Sequence, residues 1–274
     1  MRSFVGMIML ASSIAHVGGA WAQETDIKPT IVLVHGAFAE SSSWNGVIEK
    51  LGHDGFKVVA AANPLRGVAS DAAEISGLIK SLQGPVVLVG HSYGGPVITE
   101  AANGRANVQA LVYVAAFAPD VGESSQTLSE QFPGSTLGAA LISIQRPDGS
   151  HDLFIRPDKF HEQFAADVSA EQASLMAATQ RPISSAALAE PSGNASWKTI
   201  PSYAIYGSAD RNIPAAVMKF MAERARAVKT VVVEGASHAV AVSHPAEVAS
   251  IIEEAASTTQ WSHSLQQLKL RIEN

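Results

Sequence analysis

The chain has 274 residues, 47% of them hydrophobic and 16% charged, with a formal net charge of −6 and no cysteine. That apolar content excludes long disorder, and the missing cysteine excludes disulfides, a thiolate nucleophile and Cys-ligated zinc or iron–sulfur clusters. The 19 basic residues are scattered and outnumbered by 25 acidic ones, which argues against a nucleic-acid surface.

At the start of the chain, Met1-Arg2-Ser3 carries one positive charge and Phe4 to Ala15 is largely apolar. Ala20-Trp21-Ala22 before Gln23 has the small-x-small form of a signal-peptidase site. The apolar run is too short to span a bilayer and gives way at once to Gln23-Glu24-Thr25-Asp26. Residues 1–22 are therefore expected to be an export signal. The mature chain, 23–274, is expected to be periplasmic or secreted, with no stable membrane span. Cleavage leaves 252 residues with a charge of −7, because Arg2 is the only charge lost. Without cysteine, that chain relies on packing alone in an oxidising compartment.

From Thr30 onward, short β-branched runs alternate with helical stretches. The runs are Ile31 to Val34, Lys57 to Ala60, Val86 to Val89, Val108 to Val114, Tyr203 to Tyr206 and Thr230 to Val233. They are continuous rather than alternating, as fully buried strands are. Between them Ser43 to Leu51, Asp71 to Leu82, Pro96 to Ala102, Pro214 to Ala225 and Pro245 to Ala255 read as helices, several with proline near the start. This predicts a doubly wound, mostly parallel α/β sheet. The alternation breaks over Glu123 to Thr199, a stretch too long to be a structureless loop, and a helical cap inserted after the fourth core strand is expected there. After Ala256 the chain turns polar, and a short helix docked through Trp261, Leu265 and Leu268 is one expectation for the tail.

The strongest chemical signal is Gly90-His91-Ser92-Tyr93-Gly94, which follows an apolar strand and precedes a helix. In that context G-x-S-x-G is a nucleophile elbow, a sharp turn that lifts the serine hydroxyl clear of the sheet. Serine needs a base, and the base needs an orienting acid. Asp210 follows the strand Tyr203 to Tyr206, and His238 follows Thr230 to Val233. Serine, aspartate and histidine thus stand in that order at strand ends, where open α/β sheets place their sites.

Asp120, after Val108 to Val114, is a second candidate acid. His244 beside Pro245 reads as a helix cap, and His35 and His91 as packed residues before glycine turns. His151-Asp152 and His161-Glu162 lack an i, i+4 histidine pair, so no metal site is expected. His35-Gly36-Ala37-Phe38 follows the first strand, where backbone N–H groups of Ala37 and Tyr93 are placed to form an oxyanion hole.

Together these residues resemble the α/β-hydrolase superfamily over essentially the whole mature chain. His35-Gly36-Ala37 with Trp44, Gly90 to Gly95, and Ser237-His238-Ala239-Val240 look most like the group of plant methyl esterases, hydroxynitrile lyases and their bacterial esterase relatives. The resemblance implies Ser92, His238 and Asp210 as a triad, Ala37 and Tyr93 as oxyanion donors, and Glu123 to Thr199 as a cap over the acyl pocket. Hydroxynitrile lyases carry lysine directly after the catalytic histidine and threonine before the oxyanion position. Here those positions are Ala239 and Gly36, which disfavours the lyase reaction. Haloalkane dehalogenases and epoxide hydrolases place aspartate where Ser92 stands, which disfavours both.

The expected activity is cleavage of a small carboxylic ester through an acyl-enzyme, with no cofactor and a small molecule as the partner. Perhydrolysis, acyl transfer or lactone opening on the same triad, and a slow-turnover small-molecule sensor, remain the alternatives. Phe38 and Phe117 are the first candidates for substrate contact, with Phe132, Phe154, Phe160 and Phe164 behind them.

Overall fold

The computed structural model describes residues 28–257, so the export signal and the C-terminal helix expected around Trp261 lie outside the described residues. The described chain runs through β1 (Thr30–Val34), a 3₁₀ turn (Ser41–Trp44), α1 (Asn45–His53), β2 (Val58–Ala61), α2 (Val68–Ser81), β3 (Val86–His91), α3 (Gly94–Ala101) and β4 (Val108–Val114). An insertion follows with α4 (Ser125–Gln131), α5 (Leu137–Ala140), β5 (Leu141–Gln145), β6 (His151–Ile155), α6 (Pro157–Phe164), α7 (Ala170–Thr179), β7 (Ile183–Ser184) and α8 (Ser185–Ala189). The alternation resumes with β8 (Ser202–Gly207), α9 (Ala215–Arg224), β9 (Lys229–Val233), α10 (Val240–Ser243) and a last helix over 245–257.

Six strands form one parallel sheet in the order β2-β1-β3-β4-β8-β9. β1, β3 and β8 are buried along their whole length, which is what their unbroken apolar sequences require once other elements cover both faces. The outer strands depart from that expectation. β9 has a neighbour on one side only and leaves Lys229, Thr230 and Val232 exposed, and β2 is half-buried. No helix among the described residues is long and apolar enough to cross a membrane.

The insertion contains the expected helices and, beyond that expectation, an antiparallel sheet in the order β5-β6-β7. The turn Arg146-Pro147-Asp148-Gly149 makes its hairpin, with Gly149 at φ +84 and the Arg146 N–H bonded to the Ser150 carbonyl at 2.8 Å. These strands are short and partly polar, so they lack the apolar run that marks the strands of the main sheet.

Polar ties hold the insertion to the loop after β2. Asp152 of β6 accepts from Arg66 at 2.6 Å, Glu190 accepts the Val68 and Ala69 N–H groups that open α2, and the Ser184 N–H reaches the Leu65 carbonyl. Phe160, Phe164 and Ile183 of the insertion join the same apolar core as the sheet.

Candidate active site

The turn from β3 into α3 is built by glycines. A Cβ on Gly90 would lie 2.5 Å from the Gly94 carbonyl oxygen, and one on Gly94 would lie 2.5 Å from the Val34 carbonyl oxygen, so neither position admits a side chain. Ser92 sits at φ +54, in the left-handed region that an L-residue occupies only at a cost of about 1–3 kcal/mol. Its backbone is held there by its N–H on the Val114 carbonyl and by its carbonyl accepting from Gly95 and Phe117. Ser92 is 8% exposed.

His238 follows β9 and Asp210 follows β8, and the two side chains meet in the interior. Nδ1–H of His238 donates to Asp210 Oδ2 at 2.7 Å, with both side chains essentially inaccessible to solvent. The other carboxylate oxygen accepts the Asn212 and Ile213 N–H groups at 2.8 and 2.9 Å. Three donors on one buried carboxylate fix its orientation, and the carboxylate in turn fixes which imidazole nitrogen carries the proton.

His91 connects this pair to the elbow. Its Nε2–H donates to the His238 carbonyl at 3.1 Å and its ring centroid lies 4.7 Å from that of His238. Phe164, from α6, stands edge-on to the His238 ring at 5.0 Å. No hydrogen bond joins the Ser92 hydroxyl to His238 among those of the described residues.

The turn after β1 lies against the serine, since a Cβ on Gly36 would meet Ser92 Cβ at 2.6 Å. His35 anchors that turn by donating from Nδ1 to the Gly36 carbonyl and accepting the Asn63 N–H at Nε2. Burial pushes the imidazoles of both His35 and His91 below their ordinary range, so each is neutral and each fits its packed, hydrogen-bonded expectation. The N–H groups of Ala37 and Tyr93 take no hydrogen-bond acceptor from the described residues, although both residues are buried. Unpaired buried N–H groups are rare.

Phe117 adjoins Ser92 through its backbone, and Phe38, at φ +60, lines a groove with Met176 and Val242. Phe160 stacks on Phe164, whereas Phe132 packs on Phe220 of α9. Asp120 pairs with Lys198 and does not meet His238. His244 bonds to Ser243 and pairs with Asp167, while its carbonyl accepts from Val248 in the last helix. His151 bonds to Ser143, Asp152 to two arginines, His161 to the Val168 carbonyl and Glu162 to Arg211. Among the described residues, no group of three metal-ligating side chains occurs.

Asp71, which nothing in the sequence marks, lies fully buried and accepts from the Tyr93 hydroxyl. An acidic residue in the first turn of α2 has an ordinary reason to be there, so no signal marked it.

The model of the alpha/beta hydrolase family matches residues 31–251, a span that holds Ser92, Asp210 and His238 and reaches all six strands of the main sheet. The chain belongs to the alpha/beta hydrolase family. A relative in that family, the alpha/beta hydrolase nvfD of Aspergillus novofumigatus, is 26% identical, covering 84% of this chain and 97% of its own. Among solved structures, polyneuridine aldehyde esterase superposes with a TM-score of 0.72 at 20% identity, over 83% of this chain and 99% of its own. A pyrethroid hydrolase from Sphingobium faniae JZ-2 gives 0.66 at 21% identity, over 84% and 97%. At these identities the structural likeness establishes the shared α/β-hydrolase fold.

Proposed function

We propose that this alpha/beta hydrolase cleaves small carboxylic esters through an acyl-enzyme on Ser92. Ser92 Oγ attacks the ester carbonyl while His238 Nε2 takes the hydroxyl proton. The tetrahedral oxyanion is received by the Ala37 and Tyr93 N–H groups. As it collapses, the bond to the alcohol oxygen breaks and His238 gives that oxygen its proton. Water then attacks the acyl-enzyme, His238 takes one of its protons, and the proton returns to Ser92 as the acid leaves. Asp210 holds the imidazole and stabilises its charged form throughout. The contact between hydroxyl and imidazole closes when substrate binds, since such hydrogen bonds tighten in the reacting complex.

The single observation that carries this reading is the buried His238–Asp210 pair, whose carboxylate takes two further backbone donors, packed against His91, the residue before a serine in the left-handed conformation. A histidine serving only to fill the core has no need of a carboxyl partner, and burying one is costly unless it is fully hydrogen-bonded. The esterase and hydrolase activities named for the similar proteins support the same reaction class.

Ser92→Ala tests it directly. Hydrolysis of p-nitrophenyl acetate is expected to fall at least about a thousandfold with the circular dichroism spectrum unchanged. Turnover at the wild-type rate overturns the assignment. The same reading takes residues 1–22 as an export signal, and intact mass of the periplasmic or secreted protein should then give Gln23 as its first residue.

A further inference from the structure

Tyr93 carries two polar groups that serve different parts of the molecule. Its N–H faces no acceptor among the described residues, whereas its phenol donates a 2.9 Å hydrogen bond to Asp71 Oδ2. Tyr93 is 1% exposed and Asp71 is fully buried. The carboxylate accepts from the Tyr93 phenol, from the Arg66 N–H, which is shared between its oxygens at 3.1 and 3.2 Å, and over a long 3.5 Å from the Ser70 hydroxyl. Burial raises the proton affinity of Asp71 above the ordinary carboxyl range, the hydrogen bonds from Arg66, Tyr93 and Gly67 opposing it. The same burial keeps the Tyr93 phenol protonated and able to donate.

These bonds do not fully offset the burial of the carboxylate, which makes it a weak source of stability. The reason for its presence is better sought in what it holds. The peptide plane between Ser92 and Tyr93 sets where the Tyr93 N–H points, and that plane depends on a serine at φ +54, a conformation the chain would leave if free to do so. Tyr93 itself stays at φ −58 and ψ −22, with its ring fixed at Cα by the elbow and at the hydroxyl by α2.

We propose that Asp71 is a positioning residue for catalysis, which acts through the Tyr93 phenol to aim the Tyr93 N–H at the developing oxyanion. This rests on the reading of Ser92 as the nucleophile and of that N–H as an oxyanion donor. The arrangement explains a tyrosine at a position where only backbone is used in the reaction. It also links the donor to the loop whose Arg66 guanidinium binds Asp152 of the insertion, so the oxyanion donor and the docking of the insertion share one support.

The test compares Tyr93→Phe and Asp71→Asn with wild type and Ser92→Ala in the full chain. It follows p-nitrophenyl acetate hydrolysis, inhibition by phenylboronic acid, whose serine adduct is tetrahedral and anionic, and the thermal midpoint. Tyr93→Phe removes one oxygen and leaves the ring packed. Its kcat should fall about tenfold, less than the loss on deleting an oxyanion donor outright, with KM changed less than about twofold and boronate affinity weakened as much as kcat. Asp71→Asn keeps an acceptor for the phenol and should retain more activity than Tyr93→Phe. A purely structural pair would lower the thermal midpoint and leave kcat and boronate affinity alone, and that result overturns the proposal. Wild-type kcat in Tyr93→Phe with Ser92→Ala inactive overturns this inference alone. Wild-type turnover in Ser92→Ala overturns the underlying reading with it.

Discussion

At Ser92 the chain holds an L-residue at φ +54, which glycine adopts without steric cost. The elbow therefore stores strain that the rest of the fold must offset, and the strain is separable from the chemistry. Ser92→Ala removes the hydroxyl and keeps Cβ in its strained place, whereas Ser92→Gly removes both. Ser92→Gly is expected to be more stable than Ser92→Ala by about 1 kcal/mol, even though glycine gives the unfolded chain more freedom. Urea unfolding of the two inactive variants measures the difference. A glycine variant equal to or weaker than the alanine variant would mean that the backbone at Ser92 is not strained.

Among elements, the same kind of strain gathers at one edge of the sheet. Phe38 after β1, Leu65 after β2, Ser92 after β3 and Ala115 after β4 all have positive φ, and these are four neighbouring strands. That is the carboxyl edge, where a parallel sheet presents its site and where backbone strain is commonly tied to function. Much of this edge was legible in the sequence. Val86 to Val89 announces a buried strand by its unbroken apolar run, and Gly90 and Gly94 announce the turn because nothing larger fits. Asp210 and His238 are found by their places after Tyr203 to Tyr206 and Thr230 to Val233. The supports behind them were not legible. Arg66 meets Asp152 across 86 positions of sequence, and no periodicity records such a pairing. The hairpin of β5 and β6 has too few apolar residues to stand out from the helices around it.

Glu190 is the plainest of these silent supports, because it satisfies two N–H groups at the start of α2 from the far end of the insertion. Replacing it with alanine leaves them without a partner, as losing a helix cap does, and should cost about 0.5–2 kcal/mol. For a chain of this size that lowers the thermal midpoint by about 2–4 °C per kcal/mol. An unchanged midpoint would show that water replaces the carboxylate there without loss.

For the whole molecule, the buried imidazoles set how folding responds to acid. His35 and His91 are held neutral in the folded state by burial, the latter with the nearby His238 as a second cause. In the unfolded chain each protonates near the ordinary value of 6.5. Below that pH the unfolded state binds protons that the folded state refuses, so stability falls as pH drops through 6.5. Asp71 acts with the opposite sign, because its raised proton affinity favours the folded state as pH falls from the raised value to the ordinary carboxyl value of 3.8. Two imidazoles against this one carboxyl set the net change between pH 7.5 and 5.5. Each contributes up to about 1.4 kcal/mol over that interval, for a combined loss of about 1–3 kcal/mol. Urea unfolding at the two pH values should show it, and His91→Asn, which removes one of the two groups, should reduce the difference by roughly half. Equal stability at both pH values in the wild-type chain would mean that the folded state admits protons to these rings, contrary to their burial at the carboxyl edge of the sheet.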